Sequence, residues 1–67
     1  MATVELRELT GRGKTRKLET TEVAVDAGDE DACVDLLRRM AKQHGKKPSD
    51  CEIRVRNGRK APHTYRV

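Results

Sequence analysis

The stretch DEDACVDLLRRMAKQHG, residues 29–45, decides the fold of this chain. Its less polar residues recur at the i, i+3, i+4, i+7, i+8 and i+11 spacing of one helical stripe. They are Cys33, Leu36, Leu37, Met40, Ala41 and His44. Asp29 is typical of an N-cap, and Gly45 followed by Pro48 is typical of a helix end. The stretch therefore predicts an amphipathic helix that needs a second layer to cover its apolar stripe.

The sequence on both sides of this helix predicts four β-strands, because apolar and polar residues alternate along it. The predicted strands are residues 3–9, 16–25, 51–56 and a return segment, 61–67. Leu18 and Val23 cannot lie on one face of a regular strand. We therefore expect a bulge near Thr20 and Thr21, or a second strand that begins only after Leu18.

Two glycine-containing segments predict the turns. Residues 10–15, TGRGKT, contain two glycines and no apolar side chain, which indicates a turn between the first two strands. Asn57-Gly58 is the strongest two-residue hairpin signal in the chain, because both residues tolerate positive φ. Pro62 indicates that the last strand starts irregularly or lies at a sheet edge.

The order strand, strand, helix, strand, strand predicts a single α+β domain over residues 1–67. The economical ββαββ arrangement packs the helix on one face of a small mixed four-stranded sheet. This order resembles that of the β-grasp fold, a likeness that carries no function by itself. The ubiquitin-like carriers of that fold use a C-terminal Gly-Gly tail, whereas this chain ends Tyr65-Arg66-Val67, so we do not expect modifier chemistry.

The composition predicts a thin, aliphatic core, because 34% of the residues are hydrophobic and Tyr65 is the only aromatic residue. A small domain buries proportionately little surface, so we expect either modest stability or a homodimer that completes the core. No apolar run reaches the about 20 residues of a membrane span and no secretion signal is present, so we expect a cytoplasmic protein. Cys33 and Cys51 are then expected to be reduced core residues.

The charge of the chain favours acidic partners, since the net charge is +4 and the pI is about 9.4. A charge of this size is also ordinary for a small soluble domain, so both interpretations stay open. The strand directions place the first turn and the end of the helix together, with Asp50 as the nearest acid. We call this group the cationic end, and it comprises Arg12, Lys14, Arg16, Lys17, Lys42, Lys46 and Lys47.

The opposite end is expected to balance its charges locally. The acids there precede or begin the helix, and they are Asp26, Asp29, Glu30 and Asp31. The cations there belong to the second hairpin, and they are Arg56, Arg59 and Lys60.

A second basic surface is predicted on the sheet face that the helix leaves uncovered, which we call the open face. It would display Arg7, Arg54, Arg56 and Arg66 among Glu5, Glu52 and Thr64. These charges indicate either cross-strand ion pairs on a solvated surface or a phosphate-binding surface. The sequence leaves both alternatives open.

Catalytic and metal-binding patterns are absent from the sequence. Gly13-Lys14-Thr15 matches the end of a P-loop, but Glu8 stands where the first glycine is required and a strand follows instead of a helix. The soft metal ligands are His44, His63, Cys33 and Cys51, and their spacing does not fit a zinc site. A chain this short has little length for a shielded pocket. We predict a non-enzymatic protein with no catalytic residue, metal or cofactor.

The basic loop at residues 11–15, the helix with lysine near its end and the strand running to Asn57-Gly58 resemble the small ribosome-binding initiation-factor domain. The likeness concerns organisation and covers the greater part of the chain. The paired glycines of that family before the third strand are missing, and Lys46-Lys47-Pro48 stands there instead.

Two functions are compatible with these features. The favoured hypothesis is contact with nucleic-acid backbone, RNA or DNA, through the cationic end; without aromatic residues to stack on bases, such binding would be electrostatic and only weakly dependent on sequence. The alternative is a protein-interaction module, such as a regulator, inhibitor or assembly adaptor, that uses a sheet edge or the open face and could act as a homodimer.

Overall fold

The structure, a computed structural model, describes all residues, Met1–Val67. One helix packs on a four-stranded antiparallel sheet, which confirms the predicted α+β class. The elements are β1 (Ala2–Gly11), β2 (Lys14–Val23), α1 (Glu30–Gln43), a 3₁₀ turn (Pro48–Asp50), β3 (Cys51–Asn57) and β4 (His63–Arg66). The helix α1 is too short and too polar to cross a bilayer.

The strand order is β2-β1-β3-β4, and every neighbouring pair is antiparallel. The predicted mixed sheet is therefore wrong. The reason is the direction of the helix: α1 ends at the same end of the molecule as β1, so β3 starts there and runs opposite to β1.

The core lies between α1 and the inner face of the sheet. The side chains Val4, Leu6, Ile53 and Val55 from the two central strands are fully buried beneath Leu37 and its neighbours. The predicted helical stripe is confirmed for five of its six members, since Cys33, Leu36, Leu37, Met40 and Ala41 are buried while His44 is exposed. Asp29 is the N-cap, because its side chain accepts a hydrogen bond from the backbone N–H of Ala32.

The β1–β2 hairpin closes through the two residues Arg12 and Gly13, both in the left-handed region at φ 56° and 73°. This geometry is that of a type I′ turn, in which positive φ at both central positions matches the twist of the strands. The predicted bulge exists but lies at Leu18: Leu6 pairs with Glu19 and Arg7 with Lys17, which leaves Leu18 without a partner. As a result Leu18 packs against the core.

The predicted two-residue hairpin at Asn57-Gly58 is wrong, because residues 58–62 separate β3 from β4. Gly58 does take positive φ, at 61°, whereas Asn57 does not. The Asn57 side chain instead binds the segment before the helix: its Oδ1 accepts from Ala27 N at 2.7 Å and its Nδ2 donates to Val25 O at 3.1 Å. After Pro62, β4 is short and lies at the sheet edge, as predicted.

Candidate nucleic-acid interface

The hairpin and the end of the helix are joined by the carboxylate of Glu8. Lys46 Nζ lies 3.1 Å from Glu8 Oε2, and Arg16 Nη2 donates to Glu8 Oε1 at 2.7 Å. The hydrogen bond from Lys46, followed by the one from Arg16, lowers the pKa of Glu8. The sequence correctly predicted that these two basic segments meet.

Glu8 itself was missed, and Asp50 was wrongly expected to be the nearest acid. A signal for Glu8 was available: it continues the alternation of Ala2, Val4 and Leu6, which places it on the helix side of β1. In the register Glu8 pairs with Arg16 on one side and Cys51 on the other. That position brings its carboxylate under the loop that follows α1.

A second polar contact attaches the helix end to β2. His44, the C-cap of α1, has its Nε2 2.7 Å from Glu19 Oε1. Glu19 pairs with Leu6 and therefore lies on the helix side of the sheet. The end of α1 is thus fixed to the outer strand as well as to β1, which holds the cationic end together.

The remaining five cations of the cationic end are exposed and make no ion pair. They are Arg12, Lys14, Lys17, Lys42 and Lys47. Arg12 and Lys14 lie at the hairpin tip, and Lys47 comes directly before the 3₁₀ turn. Lys42 lies on the side of α1 away from the sheet, and Lys17, opposite Arg7, lies on the open face. The seven predicted residues therefore form a band around one end of the molecule, instead of a single flat patch.

At the opposite end no ion pair joins the acids to Arg56, Arg59 or Lys60, so the local balance of charge there stays a prediction. Two of the carboxylates there bind backbone instead. Asp26 Oδ1 accepts from Gly28 N at 2.9 Å, and Asp29 Oδ1 accepts from Ala32 N at 3.2 Å. Backbone N–H groups around the start of α1 have no partner within the helix, so these short carboxylate side chains accept their hydrogen bonds.

Most arginines of the open face form ion pairs, which was the first of the two alternatives for this surface. Arg7 Nη1 lies 3.1 Å from Glu5, and both Arg54 and Arg66 contact Glu52, at 2.8 and 2.9 Å. Arg56 differs, because it is exposed and makes neither an ion pair nor a side-chain hydrogen bond. Three of the four arginines of this surface are therefore engaged within the chain.

Glu52 is the most unusual side chain of this face, because it is only 2% exposed although it points away from the helix. Arg54 and Arg66 cover it from the same strand and from β4. Burial alone would raise the pKa of Glu52, but the hydrogen bonds from Arg54 and Arg66 outweigh burial and lower that pKa. The carboxylate is therefore charged and holds both guanidinium groups in place.

The remaining reactive groups are the metal-ligating side chains and the two thiols. No three His, Cys, Asp or Glu side chains lie close enough together to hold a metal ion. Cys33 and Cys51 are buried free thiols, and burial raises the pKa of each. A buried thiol with a raised pKa is a weak nucleophile.

Comparison of the chain with known protein families, curated proteins and solved structures gives no match.

Proposed function

We propose that this chain is a non-enzymatic module that binds the backbone of nucleic acid through its cationic end. The contact between Glu8, Arg16 and Lys46 carries this proposal, because it fixes the hairpin tip beside the loop after α1. Two segments whose other cations have no acidic partner are thereby presented together. A fixed group of unpaired cations suits a chain of phosphates, since each neutralised phosphate releases counterions.

The backbone of Arg12 supports the proposal independently. A long side chain at φ 56° is unfavourable in a turn that asparagine or glycine fits best. Strained residues tend to persist where they serve a function. At this tip the arginine is exposed and unpaired, which is how a phosphate-contacting side chain has to be presented.

Salt-dependent binding to a short duplex DNA tests the proposal. Fluorescence anisotropy should detect binding by the wild type at low salt. Replacing Lys14 and Lys47 together by Gln should reduce the magnitude of the log–log salt slope by about 0.9 for each lysine. The matched control replaces Arg59 and Lys60 by Gln at the opposite end, removing the same charge from exposed residues without ion pairs. If both double variants lost the same affinity, net charge alone would explain the binding, and the cationic end would be rejected as the binding site.

The alternative is a protein-interaction module, and one observation favours it. β2 is ten residues long and pairs only with β1, so its outer edge is open along its whole length. An open edge can add a strand from a partner or from a second copy, although its charged side chains oppose indiscriminate pairing. Undetectable binding to duplex DNA at low salt, together with a dimer in sedimentation equilibrium, would favour this function.

The β-grasp-like description is likewise a proposal, and it rests on element order. Because a fold does not determine function, neither binding proposal depends on it.

A further inference from the structure

A polar pocket of about 240 Å³ lies on the open face, away from the cationic end. Thr3, Glu5, Thr20, Arg54, Arg56 and Pro62 line it. The register explains this grouping, since Thr3 is paired with Arg56, and Glu5 is flanked by Thr20 and Arg54. The pocket therefore spans the three strands β2, β1 and β3.

The donors of this pocket are available to a ligand. Arg56 has no partner, and the hydroxyl groups of Thr3 and Thr20 make no hydrogen bond within the chain. Arg54 donates its Nε–H to Glu52, and its Nη groups donate no hydrogen bond within the chain. Two guanidinium groups and two hydroxyl groups thus surround one concave space, and guanidinium groups recognise phosphate by paired hydrogen bonds.

The single acid of the pocket does not cancel these donors. Glu5 Oε1 lies 3.1 Å from Arg7 Nη1 and 3.9 Å from Arg54 Nη1, so its charge is already shared between two cations. Glu52 fixes Arg54 from below and is buried itself. A phosphate group entering the pocket would meet a guanidinium whose position is set before binding, which lowers the ordering cost of binding.

We propose that this pocket is a phosphate site. This inference rests on the proposed function: the pocket receives a second backbone phosphate of the nucleic acid that the cationic end binds. Lys17 and Arg7 lie on the same face, between the hairpin tip and the pocket. They provide a cationic path along which one strand can extend from one site to the other.

The test measures duplex DNA affinity and its salt dependence for Arg56→Gln and for Arg38→Gln. Arg38 is an exposed arginine of α1 without an ion pair, so its replacement changes the net charge equally. Arg56→Gln should weaken binding roughly threefold, the size of a partly exposed ion pair. It should also reduce the salt slope by about 0.9. Arg38→Gln should leave both quantities near the wild-type values.

Two variants that leave the net charge unchanged test the pocket separately from the charge of its arginines. Thr20→Val removes a hydroxyl group of the pocket, and Thr64→Val removes one from the same face outside it. Weaker binding by Thr20→Val alone supports the pocket. Equal behaviour of the two threonine variants, with Arg56→Gln matching Arg38→Gln, overturns it. If the Lys14 and Lys47 variant still loses affinity in that case, the proposed function stands without a second site.

Inorganic phosphate tests the pocket when duplex DNA does not bind at all. That result rejects the proposed function, and an NMR titration then follows the backbone amides of Thr3, Thr20 and Arg56. Saturable shifts at these residues in the wild type, absent in Arg56→Gln, support a phosphate site that serves another ligand. Absence of saturable shifts overturns the pocket as well.

Discussion

Arg12 and Glu52 each occupy a local environment that is unusual for the residue type. Arg12 adopts a backbone conformation that favours glycine, while Glu52 is a charged side chain under cover of two arginines. In the first case the left-handed backbone at a long side chain costs stability. In the second case the gain depends on the carboxylate staying ionised.

Replacing Arg12 by Asn should stabilise the protein and weaken nucleic-acid binding. The turn then reads Asn-Gly, the preferred pair for type I′, and loses a left-handed long side chain that costs about 1 kcal/mol. Urea denaturation gives the free energy of unfolding, and anisotropy gives the affinity. Arg59→Asn, which removes the same charge at a residue with negative φ, should change stability by less than about 0.5 kcal/mol. A less stable Arg12→Asn protein would contradict the assigned strain.

Replacing Glu52 by Gln should cost stability at neutral pH but little in acid. The folded state lowers the pKa of Glu52, so its stabilisation is present above the unfolded pKa of about 4.3 and is lost as the pH falls through the folded pKa. We expect a loss of about 1–3 kcal/mol at pH 7. Below the folded pKa, a neutral carboxyl and an amide are nearly equivalent, so the difference should shrink.

Thermal unfolding followed by circular dichroism over a pH series checks this. Glu22→Gln is the control, because Glu22 is exposed and unpaired. A difference between Glu52→Gln and wild type that stays constant into acid would show that packing, not ionisation, is responsible.

Among the elements, the link between β3–β4 and the start of α1 depends on a few side-chain hydrogen bonds. Asn57 binds Ala27 N and Val25 O, and the Tyr65 hydroxyl donates to Ala27 O at 2.6 Å. Ala27 is buried, so leaving its backbone N–H or C=O without a partner is costly. The short segment before α1 is therefore fixed to the sheet by two side chains.

Replacing Asn57 by Ala should destabilise the protein by about 1–3 kcal/mol, because it leaves a buried backbone N–H without an acceptor. Asn57→Asp keeps the acceptor and loses the donor, so its loss should be smaller. Tyr65→Phe tests the other contact, and the double variant with Asn57→Ala should lose less than the sum, since both act on Ala27. If the losses measured by urea denaturation were strictly additive, the two contacts would act independently, which would contradict this expectation.

The helix and strands were predictable where hydrophobic periodicity alone determines them, and less so where a long-range side-chain contact intervenes. The spacing of Cys33, Leu37 and Met40 fixes α1, and the bulge followed from Leu18 being out of phase. Asn57-Gly58 misled because the asparagine side chain hydrogen bonds with the segment before the helix, a long-range contact that no local signal contains. Alternation indicates the faces of Glu8 and Glu52, but their partners Lys46 and Arg66 depend on strand register and order, which alternation alone leaves undetermined.

On the scale of the whole molecule, the topology brings the predicted basic segments together through its chain directions. The strand and helix directions were enough to predict that Arg16 and Lys46 meet, and their shared contact with Glu8 confirms it. The same directions forbid β3 from running parallel to an adjacent β1. The mixed sheet was predicted because strand adjacency, unlike direction, is not encoded by residue pattern.

The two thiols report on the integrity of the entire core. Cys33 and Cys51 are both 0% exposed, one in α1 and one at the start of β3. A thiol reagent should therefore modify either residue only when the helix leaves the sheet. In Cys33→Ala and Cys51→Ala, each with one remaining thiol, the labelling rate should follow the unfolding equilibrium measured for that variant in urea. Labelling of Cys51 far ahead of its unfolding equilibrium would reveal separate opening of the 3₁₀ turn.

The unpaired Leu18 determines which cations of the hairpin lie on which surface. Because one extra residue reverses the alternation, Arg16 lies with Glu8 on the helix side and Lys17 lies with Arg7 on the other. Deleting that leucine would remove the bulge but leave Lys17 opposite Arg7 and Arg16 opposite Glu8, because Glu19 would then follow Lys17 directly. A relative that lost this one residue would thus keep its two charged surfaces, whereas a relative that kept the residue in a regular strand would move Lys17 to the helix side and Arg16 to the open face.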